Sequence, residues 1–232
     1  MSMARIGGRR RLVRAETTWA PSRKAIRFVT APRGAHPLDR SMPLLLVVRE
    51  TLGLADTARE ARRIIKGKQV KVDGKICRDH KRGLGLFDTM EVAGKAYRMI
   101  PSRSGLRIIE IEKHEANSKV CQVTTKTAVR DGKIQIGLHD GRSILTEKSD
   151  AKPGDSLLIE LPGQAVKEKL PLEEGAISLI TYGANAGRLA RIRKIERGLY
   201  PRAWLHADNE TFEAPLAAVM PVGKEKAVIK VA

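Results

Sequence analysis

Aromatic residues are scarce in this chain, and their scarcity argues against one common way of reading RNA. Only 3% of its 232 residues are Phe, Trp or Tyr, eight residues in all. An RNA-recognition motif stacks two or three bases on exposed rings of its sheet. Eight rings spread over a chain of this length do not indicate such a surface, so that class of RNA reader is not expected.

Long apolar runs are also missing. No run approaches the roughly 18 apolar residues that a membrane-spanning helix requires. The sequence begins with basic residues, but no apolar signal core follows them, so secretion is not expected. The expected location is therefore cytoplasmic.

Cysteine is nearly absent. Cys77 and Cys121 are the two cysteines of the chain, and they form no CxxC motif. Buried thiols in a reducing compartment are favoured over the alternatives, which are a disulfide and a zinc site.

Negative charge is in short supply, and the excess of positive charge lies toward the beginning of the chain. The sequence has 44 Lys and Arg against 26 Asp and Glu, a net charge of +18. Counted by block, residues 1–40 carry +8, residues 41–100 carry +6, and residues 101–170 and 171–232 carry +2 each. Hydrophobic residues make up 42%, enough to form cores. The expected partner is a polyanion, either nucleic acid or an anionic membrane surface.

The first block, residues 1–40, has the composition of an arm rather than a domain. No helical or strand periodicity persists in it, and three prolines interrupt it. Such a segment is expected to order only against a partner that neutralises it. The alternative is a solubilising tail, but Trp19 and Phe28 favour the arm. Its candidate RNA-binding residues are Arg9, Arg10, Arg11, Arg14, Arg23, Lys24 and Arg27.

The second block, residues 41–100, opens with a pattern of two helices. An apolar stretch from Pro43 to Leu52 predicts the first helix. Thr57 and Glu60 then form a capping-box pattern that opens a second helix, which ends at Gly67. At 100° per residue, the apolar side chains fall within an arc of about 120° and the basic ones within about 100° on the opposite side. The apolar face consists of Ala58, Ala61, Ile64 and Ile65, and the basic face of Arg59, Arg62, Arg63 and Lys66.

A basic hairpin is predicted directly after the second helix. Val70, Val72 and Ile76 are strand-like, and Asp73-Gly74 is a strong signal for a two-residue hairpin turn. Three lysines are expected to project from it beside the basic face of the helix: Lys68, Lys71 and Lys75. Two short helices followed by a basic hairpin resemble the S-four-type (S4-type) RNA-binding domain, or αL motif. That resemblance implies that the second helix and the hairpin grip RNA backbone.

The last two blocks read as β structure. Residues 101–170 predict a compact β domain, with short strands separated by turns at 131–132, 139–141 and 153–155. Residues 171–232 begin with a strand, a tight loop bracketed by Gly183 and Gly187, and a second strand with a basic edge at Arg188, Arg191 and Arg193. This pattern resembles the KOW motif of small SH3-like barrels, where such elements contact RNA and protein. An ordinary hairpin is the alternative for this segment taken alone.

The order of these pieces resembles one family over nearly the whole chain. Gly34-Ala35-His36 in the arm, the S4-type block, the segment 138–145 and the Gly183–Gly187 loop follow one another as in the archaeal and eukaryotic S-four-e (S4e) family of small-subunit ribosomal proteins. The resemblance implies an α+β, mostly β fold: a basic arm, an αL-type domain, a central β domain and a C-terminal SH3-like KOW barrel. It also implies a structural constituent of the small ribosomal subunit, with small-subunit rRNA and neighbouring ribosomal proteins as partners. No cofactor, metal, membrane or small-molecule substrate is expected.

Catalysis is the first alternative, because S4-type domains also occur on RNA-modifying enzymes. The string at Gly141-Arg142-Ser143 lacks the Asp that a pseudouridine synthase would need. The loop Gly183–Gly187 lies between two strands instead of opening a helix, so it does not indicate a methyltransferase. His139, Asp140 and Ser143 are too close in sequence for a triad and are predicted to form a turn with a hydrogen-bonded His. The remaining rival is a free-standing RNA-binding regulator or RNA chaperone.

Overall fold

The computed structural model describes residues 9–11, 28–129, 132–208 and 210–231. These residues divide into two compact units. The first unit comprises Met1–Met99 with Ser104–Ala116, and the second comprises Ile100–Arg103 with Asn117–Ala232. Five residues that the sequence analysis singled out lie outside the described part: Arg14, Trp19, Arg23, Lys24 and Arg27.

The first unit contains both α-helices of the described chain, two small sheets and a larger one. Its strands are β1 (Arg9–Arg11), β2 (Phe28–Thr30), β3 (Met42–Pro43), β4 (Val70–Val72), β5 (Lys75–Ile76), β6 (Gly83–Leu84), β7 (Thr89–Val92), β8 (Lys95–Ser102, which runs on into the second unit) and β9 (Gly105–Ile111). Strand β1 pairs with β2 and β3 with β6, whereas the larger sheet has the order β5-β4-β7-β8-β9.

The two predicted helices are present. Helix α1 (Leu44–Leu46) passes directly into a π-helical turn over Val47–Thr51, so the predicted first helix is short and wide. Helix α2 spans Ala58–Lys66 and begins with the predicted capping box, in which the hydroxyl of Thr57 accepts the N–H of Glu60 at 3.2 Å. The backbone N–H groups of Thr57 and Asp56 donate in return to the Glu60 carboxylate at 3.2 and 3.1 Å, and these bonds lower its pKa.

The core of the first unit forms where α1, α2 and the sheet meet. The side chains of 44–48 are buried, as are Ala61 and Ile65 of α2 and Val70 of β4. The apolar face predicted for α2 therefore packs inward, with Ala58 and Ile64 at its partly buried margin. Burial of each large aliphatic side chain contributes on the order of 1.5–3 kcal/mol, so this face fixes the rotation of α2 about its axis.

Residues 28–40 pack on the first unit. Val29 is buried in its core, and Arg33 forms a parallel bridge with Arg82. The ring of His36 is buried, and its Nε2 lies 3.0 Å from a carboxylate oxygen of Asp88. A Cβ at Gly85 would stand 2.2 Å from His36 Nδ1, so only a glycine at that position leaves room for the ring. The described end of the predicted arm is therefore part of the folded unit.

The second unit consists of two antiparallel five-stranded sheets. The first has the order β12-β11-β10-β13-β14 and the second the order β18-β17-β16-β15-β19. The first sheet is built from β10 (Ser118–Ala128), β11 (Ile134–Leu138), β12 (Ser143–Thr146), β13 (Ser156–Glu160) and β14 (Val166–Leu170). The second is built from β15 (Ile177–Ile180), β16 (Leu189–Glu196), β17 (Arg202–Ala207), β18 (Glu210–Pro215) and β19 (Val219–Gly223). The predicted α+β, mostly β fold is confirmed.

Each sheet of the second unit has its own apolar core. Alternate residues of β10, β11 and β13 point inward in the first sheet, and Cys121 lies among them. Ala190 and Ile192 of β16 pack against Ala203 and Leu205 of β17 in the second. Both cysteines are free thiols: Cys121 is buried, whereas Cys77 of the first unit is half-buried, and burial raises the pKa of the Cys77 thiol.

The turn at His139-Asp140-Gly141 is a structural junction. His139 Nδ1 accepts the backbone N–H of Gln122 at 3.0 Å, which confirms the predicted hydrogen-bonded His. The carboxylate of Asp140 is buried and lies 2.9 Å from the ammonium of Lys119, which is itself fully buried. Arg142 Nε approaches the same carboxylate at 3.2 Å. The turn thus anchors β11 to β10 through a buried ion pair.

Candidate nucleic-acid interface

The outer face of α2 presents the predicted row of cations. Arg59, Arg63 and Lys66 are exposed. Arg62 is half-buried, and its Nε is withdrawn from water without a hydrogen-bond partner in the described part of the chain. The row therefore consists of three exposed cations and the half-buried Arg62. Packing of the apolar face of α2 in the core fixes the direction in which this row points.

The hairpin that follows α2 adds three exposed lysines. Its turn residues Asp73 and Gly74 have φ values of 50° and 75°, as the predicted two-residue turn requires. Lys68, Lys71 and Lys75 are exposed. The ammonium of Lys71 lies 3.4 Å from the carboxylate of Glu91 on the neighbouring strand, and both groups are at the surface. Sequence reasoning thus located this hairpin and its lysines correctly.

Most of these cations form no ion pair in the described chain. Among the residues that the structure describes, the basic side chains of the helix and hairpin other than Lys71 form no ion pair. They are Arg59, Arg62, Arg63, Lys66, Lys68 and Lys75. A solvated protein surface normally intersperses both signs of charge, whereas here six cations without an ion pair have Glu60, which interacts with Arg63, as the acidic residue within α2.

His80 lies close to the basic side chains of this surface. Burial lowers its pKa first, and the nearby charges of Arg62, Lys81 and Lys66 lower it further, although Asp79 acts in the opposite direction. The backbone carbonyl of His80 accepts the N–H of Leu45 at 3.0 Å, which fixes this loop against α1. Sequence reasoning missed His80 and Lys81. The run of basic residues directly after the hairpin was the signal for them.

The predicted basic residues on β16 and directly before it fall into two groups. The guanidinium of Arg188 lies 3.3 Å from carboxylate oxygens of both Asp208 and Glu210, and 5.1 Å from the centre of the Phe212 ring. Its charge is thus compensated within the sheet. Arg191 and Arg193 are exposed and have no ion pair in the described ranges.

The glycine-bracketed loop before β16 has the predicted character. Gly183 and Gly187 have φ values of 96° and 85°. A Cβ at Gly187 would lie 2.7 Å from the carbonyl oxygen of Pro101, so this glycine allows both a left-handed conformation and the close approach of another backbone.

The basic residues of the N-terminal segment are only partly within the described chain. The backbone of Arg9, Arg10 and Arg11 forms β1 and pairs with residues 28–30. Arg14, Arg23, Lys24 and Arg27 lie outside the described residues.

Comparison with known proteins agrees with this arrangement. The S4 domain profile matches residues 42–88, and the profile of Ribosomal family S4e matches residues 93–166. The chain is 40% identical over 237 residues to the small ribosomal subunit protein eS4 of Korarchaeum cryptofilum, a match that covers 98% of this chain and 99% of that protein. The chain belongs to the ribosomal S4e family. Identity to the eS4 protein of Methanocaldococcus jannaschii is 39% over 244 residues, covering 98% of this chain and 100% of that one.

A solved S4e structure shares the fold. The crystal structure of the 30S ribosomal protein S4e from Thermoplasma acidophilum superposes with a TM-score of 0.72 at 30% identity, covering 83% of this chain and 99% of that one. Family membership makes the chain a structural, non-enzymatic protein, as the sequence predicted. In the described part, no helix has the length and apolar character needed to cross a membrane.

Proposed function

We propose that this S4e protein is a structural constituent of the small ribosomal subunit, in the cytoplasm, and that it holds rRNA mainly through backbone phosphates. Its partners are the small-subunit rRNA and neighbouring ribosomal proteins, and its binding supports subunit assembly and translation. The principal contact of the first unit is the uncompensated group of cations on α2 and the β4–β5 hairpin. The observation that carries this assignment is that six basic side chains there form no ion pair in the described chain.

The contrast with paired surface lysines supports this site. Lys95 lies 3.0 Å from Glu110 and Lys167 lies 3.1 Å from Glu160, whereas six cations of α2 and the hairpin form no such pair in the described chain. Such pairs reduce the field that a distant phosphate would feel. Near α2, burial is the main cause of the lowered pKa of His80, and the charge of Arg62 lowers it further.

The chemistry of the site favours phosphate over base edges. Side chains around it end in guanidinium and ammonium groups, which match phosphate oxygens, and guanidinium binds them in bidentate fashion. Arg62 adds a specific reason. Its buried Nε has no hydrogen-bond partner in the described chain, and a bound phosphate would supply an acceptor if the guanidinium moved outward. Contacts of this kind position a protein on RNA without reading sequence directly.

The two remaining sets of predicted contacts are proposed as secondary. Arg191 and Arg193 on β16 are exposed and suited to phosphate, whereas Arg188 forms ion pairs with Asp208 and Glu210. The N-terminal set is proposed to contact rRNA phosphates as well: Arg9, Arg10, Arg11, Arg14, Arg23, Lys24 and Arg27.

The salt dependence of rRNA binding tests the proposal. If about 6–10 phosphates are neutralised, affinity falls on the order of 10³–10⁵-fold between 50 and 200 mM salt. Replacing Arg59, Arg63 and Lys66 with Gln should reduce the slope of log affinity against log salt by about 2–3 and weaken binding on the order of 10²-fold at 0.1 M salt.

A variant with the same change in charge provides the control. Lys113, Lys148 and Lys152 are exposed, and their replacement with Gln should leave the slope nearly unchanged. Equal effects of the two triple variants would show that net charge, not this surface, determines binding.

Co-sedimentation of the chain with small subunits at high salt separates a ribosomal constituent from a free-standing RNA-binding regulator or chaperone, which would be washed off.

A further inference from the structure

The loop between β16 and β17 exposes two large apolar side chains at its tip. In this five-residue connection, 197–201, Leu199 is 89% exposed and Tyr200 is 75% exposed. No other large hydrophobic residue in the described chain is as exposed as either of them. Isolated exposed apolar residues are ordinary, but two adjacent ones at a hairpin tip form a small surface that water solvates poorly.

The base of this loop is fixed. The last pair of the β16–β17 ladder joins Glu196 to Arg202. The backbone N–H of Leu216 donates to the carbonyl of Pro201 at 3.0 Å, which ties the end of the loop to the turn after β18. Leu199 and Tyr200 are thus carried outward by an anchored hairpin rather than by a free chain end.

An aromatic residue lies on the outer face of the same strands. Ala203 and Leu205 point into the core, so the alternate residue Trp204 points outward, where it remains 38% exposed. Its cross-strand partners are Lys194 on β16 and Glu213 on β18. The two most exposed aromatic rings of the described chain, Tyr200 and Trp204, are therefore four residues apart on one hairpin.

The charges around these rings favour an anionic partner. Lys194 pairs with Glu196 at 2.8 Å, and Arg202 pairs with Glu213. Beyond these pairs, Arg191, Arg193 and Arg197 are exposed and have no ion pair within the described ranges. Exposed rings interleaved with uncompensated arginines are what a protein needs to bind single-stranded nucleic acid, because bases stack on the rings while guanidinium groups hold the phosphates.

We infer that the β16–β17 hairpin binds an unpaired segment of rRNA, with Tyr200 stacking on a base, Leu199 packing beside it, and Arg197 holding an adjacent phosphate. This contact rests on the proposed rRNA binding and adds a non-ionic element to it. A paired rRNA helix does not fit, because its bases are stacked on one another and offer no face to a ring. A purely apolar protein pocket would leave three arginine charges without a counterpart.

Binding of the full-length chain to small-subunit rRNA tests this contact. Tyr200→Ala should weaken binding about 5- to 150-fold, the loss expected for one stacked base. Tyr200→Phe keeps the ring and should bind like the parent chain. The slope of log affinity against log salt should stay the same for both variants, since the lost contact carries no charge. Leu145→Ala, which removes a 63% exposed side chain from β12, is the matched control and should have no effect.

Ultraviolet crosslinking in reconstituted small subunits identifies the partner directly. The expected product joins Tyr200 or Trp204 to a nucleotide. A hairpin crosslinked only to protein, or a Tyr200→Ala chain that binds rRNA like the parent, would overturn the inference. These outcomes differ from failure of the proposed function, in which the parent chain itself would not bind rRNA in a salt-dependent way.

Discussion

Asp140→Asn removes the negative partner of a buried charge. The ammonium of Lys119 has no exposed side-chain surface and lies 2.9 Å from the Asp140 carboxylate, which is 2% exposed. With asparagine at this position the buried ammonium loses the negative charge of Asp140. Breaking one side of a buried ion pair costs about 3–5 kcal/mol, so we expect the free energy of unfolding of the second unit to fall by about that amount.

The same pair predicts how stability depends on pH. Burial alone would raise the pKa of Asp140, but the charge and hydrogen bond of Lys119, with smaller contributions from His139 and the Arg142 backbone, lower it to about 2 from an ordinary 3.8. A carboxyl with a lowered folded-state pKa adds stability above its unfolded-state pKa and loses it as pH falls through the folded value. The difference corresponds to about 2 kcal/mol, present above about pH 4 and lost toward pH 2.

Urea unfolding followed by tryptophan fluorescence measures both effects. The chain has two tryptophans, so Trp19→Phe leaves Trp204 of the second unit as the only reporter. The control is Glu160→Gln, which breaks the surface ion pair between Glu160 and Lys167. Their side chains are 48% and 47% exposed, respectively. That loss should not exceed about 1 kcal/mol. The buried pair does not stabilise the unit as argued if Asp140→Asn and Glu160→Gln shift the unfolding midpoint equally. The same holds if the parent loses no more stability between pH 4 and pH 2 than Asp140→Asn does.

Three further outcomes are expected in the first unit. Gly85→Ala places a methyl group 2.2 Å from His36 Nδ1 and should lower the free energy of unfolding by about 1–3 kcal/mol in urea, whereas Gly163→Ala, with open space around it, should cost far less. Thr57→Ala removes the cap of α2 and should cost about 1 kcal/mol in thermal unfolding followed by circular dichroism. The pKa of His80, lowered in the free protein by burial and nearby cations, should rise when rRNA phosphates neutralise those cations. An NMR titration of His80 that is the same with and without rRNA would contradict a phosphate contact at α2.

Local features of this fold could be predicted from the sequence. The capping box at Thr57, the segregated faces of α2 and the Asp73-Gly74 turn depend on residues within a few positions of one another, and each is present. The strand β14 was not predicted, because its central residues are charged and show no clear alternation between inside and outside. It is an edge strand, and edge strands commonly carry such charges.

The partners of individual charges could not be predicted, because they come from distant parts of the chain. Arg188 appears in the sequence as one of a basic trio, yet Asp208 and Glu210 fold back beside it. Arg62 appears equivalent to Arg63 on a helical wheel, but Arg62 is half-buried, and its charge acts on His80 from a later loop. Periodicity identifies the face on which a side chain lies. It does not identify which other element reaches that face.

The docking of His36 has a consequence for how the chain matures during synthesis. Its partner Asp88 lies 52 positions later, so His36 leaves the ribosome well before its binding site exists. At about 5–20 residues per second, several seconds pass between the two events. During that interval the emerging N-terminal segment is a cationic nascent chain without its anchor, next to the most abundant polyanion in the cell. His36 is anchored only after residue 88 has emerged, and β7, β8 and β9 of the same unit follow later still.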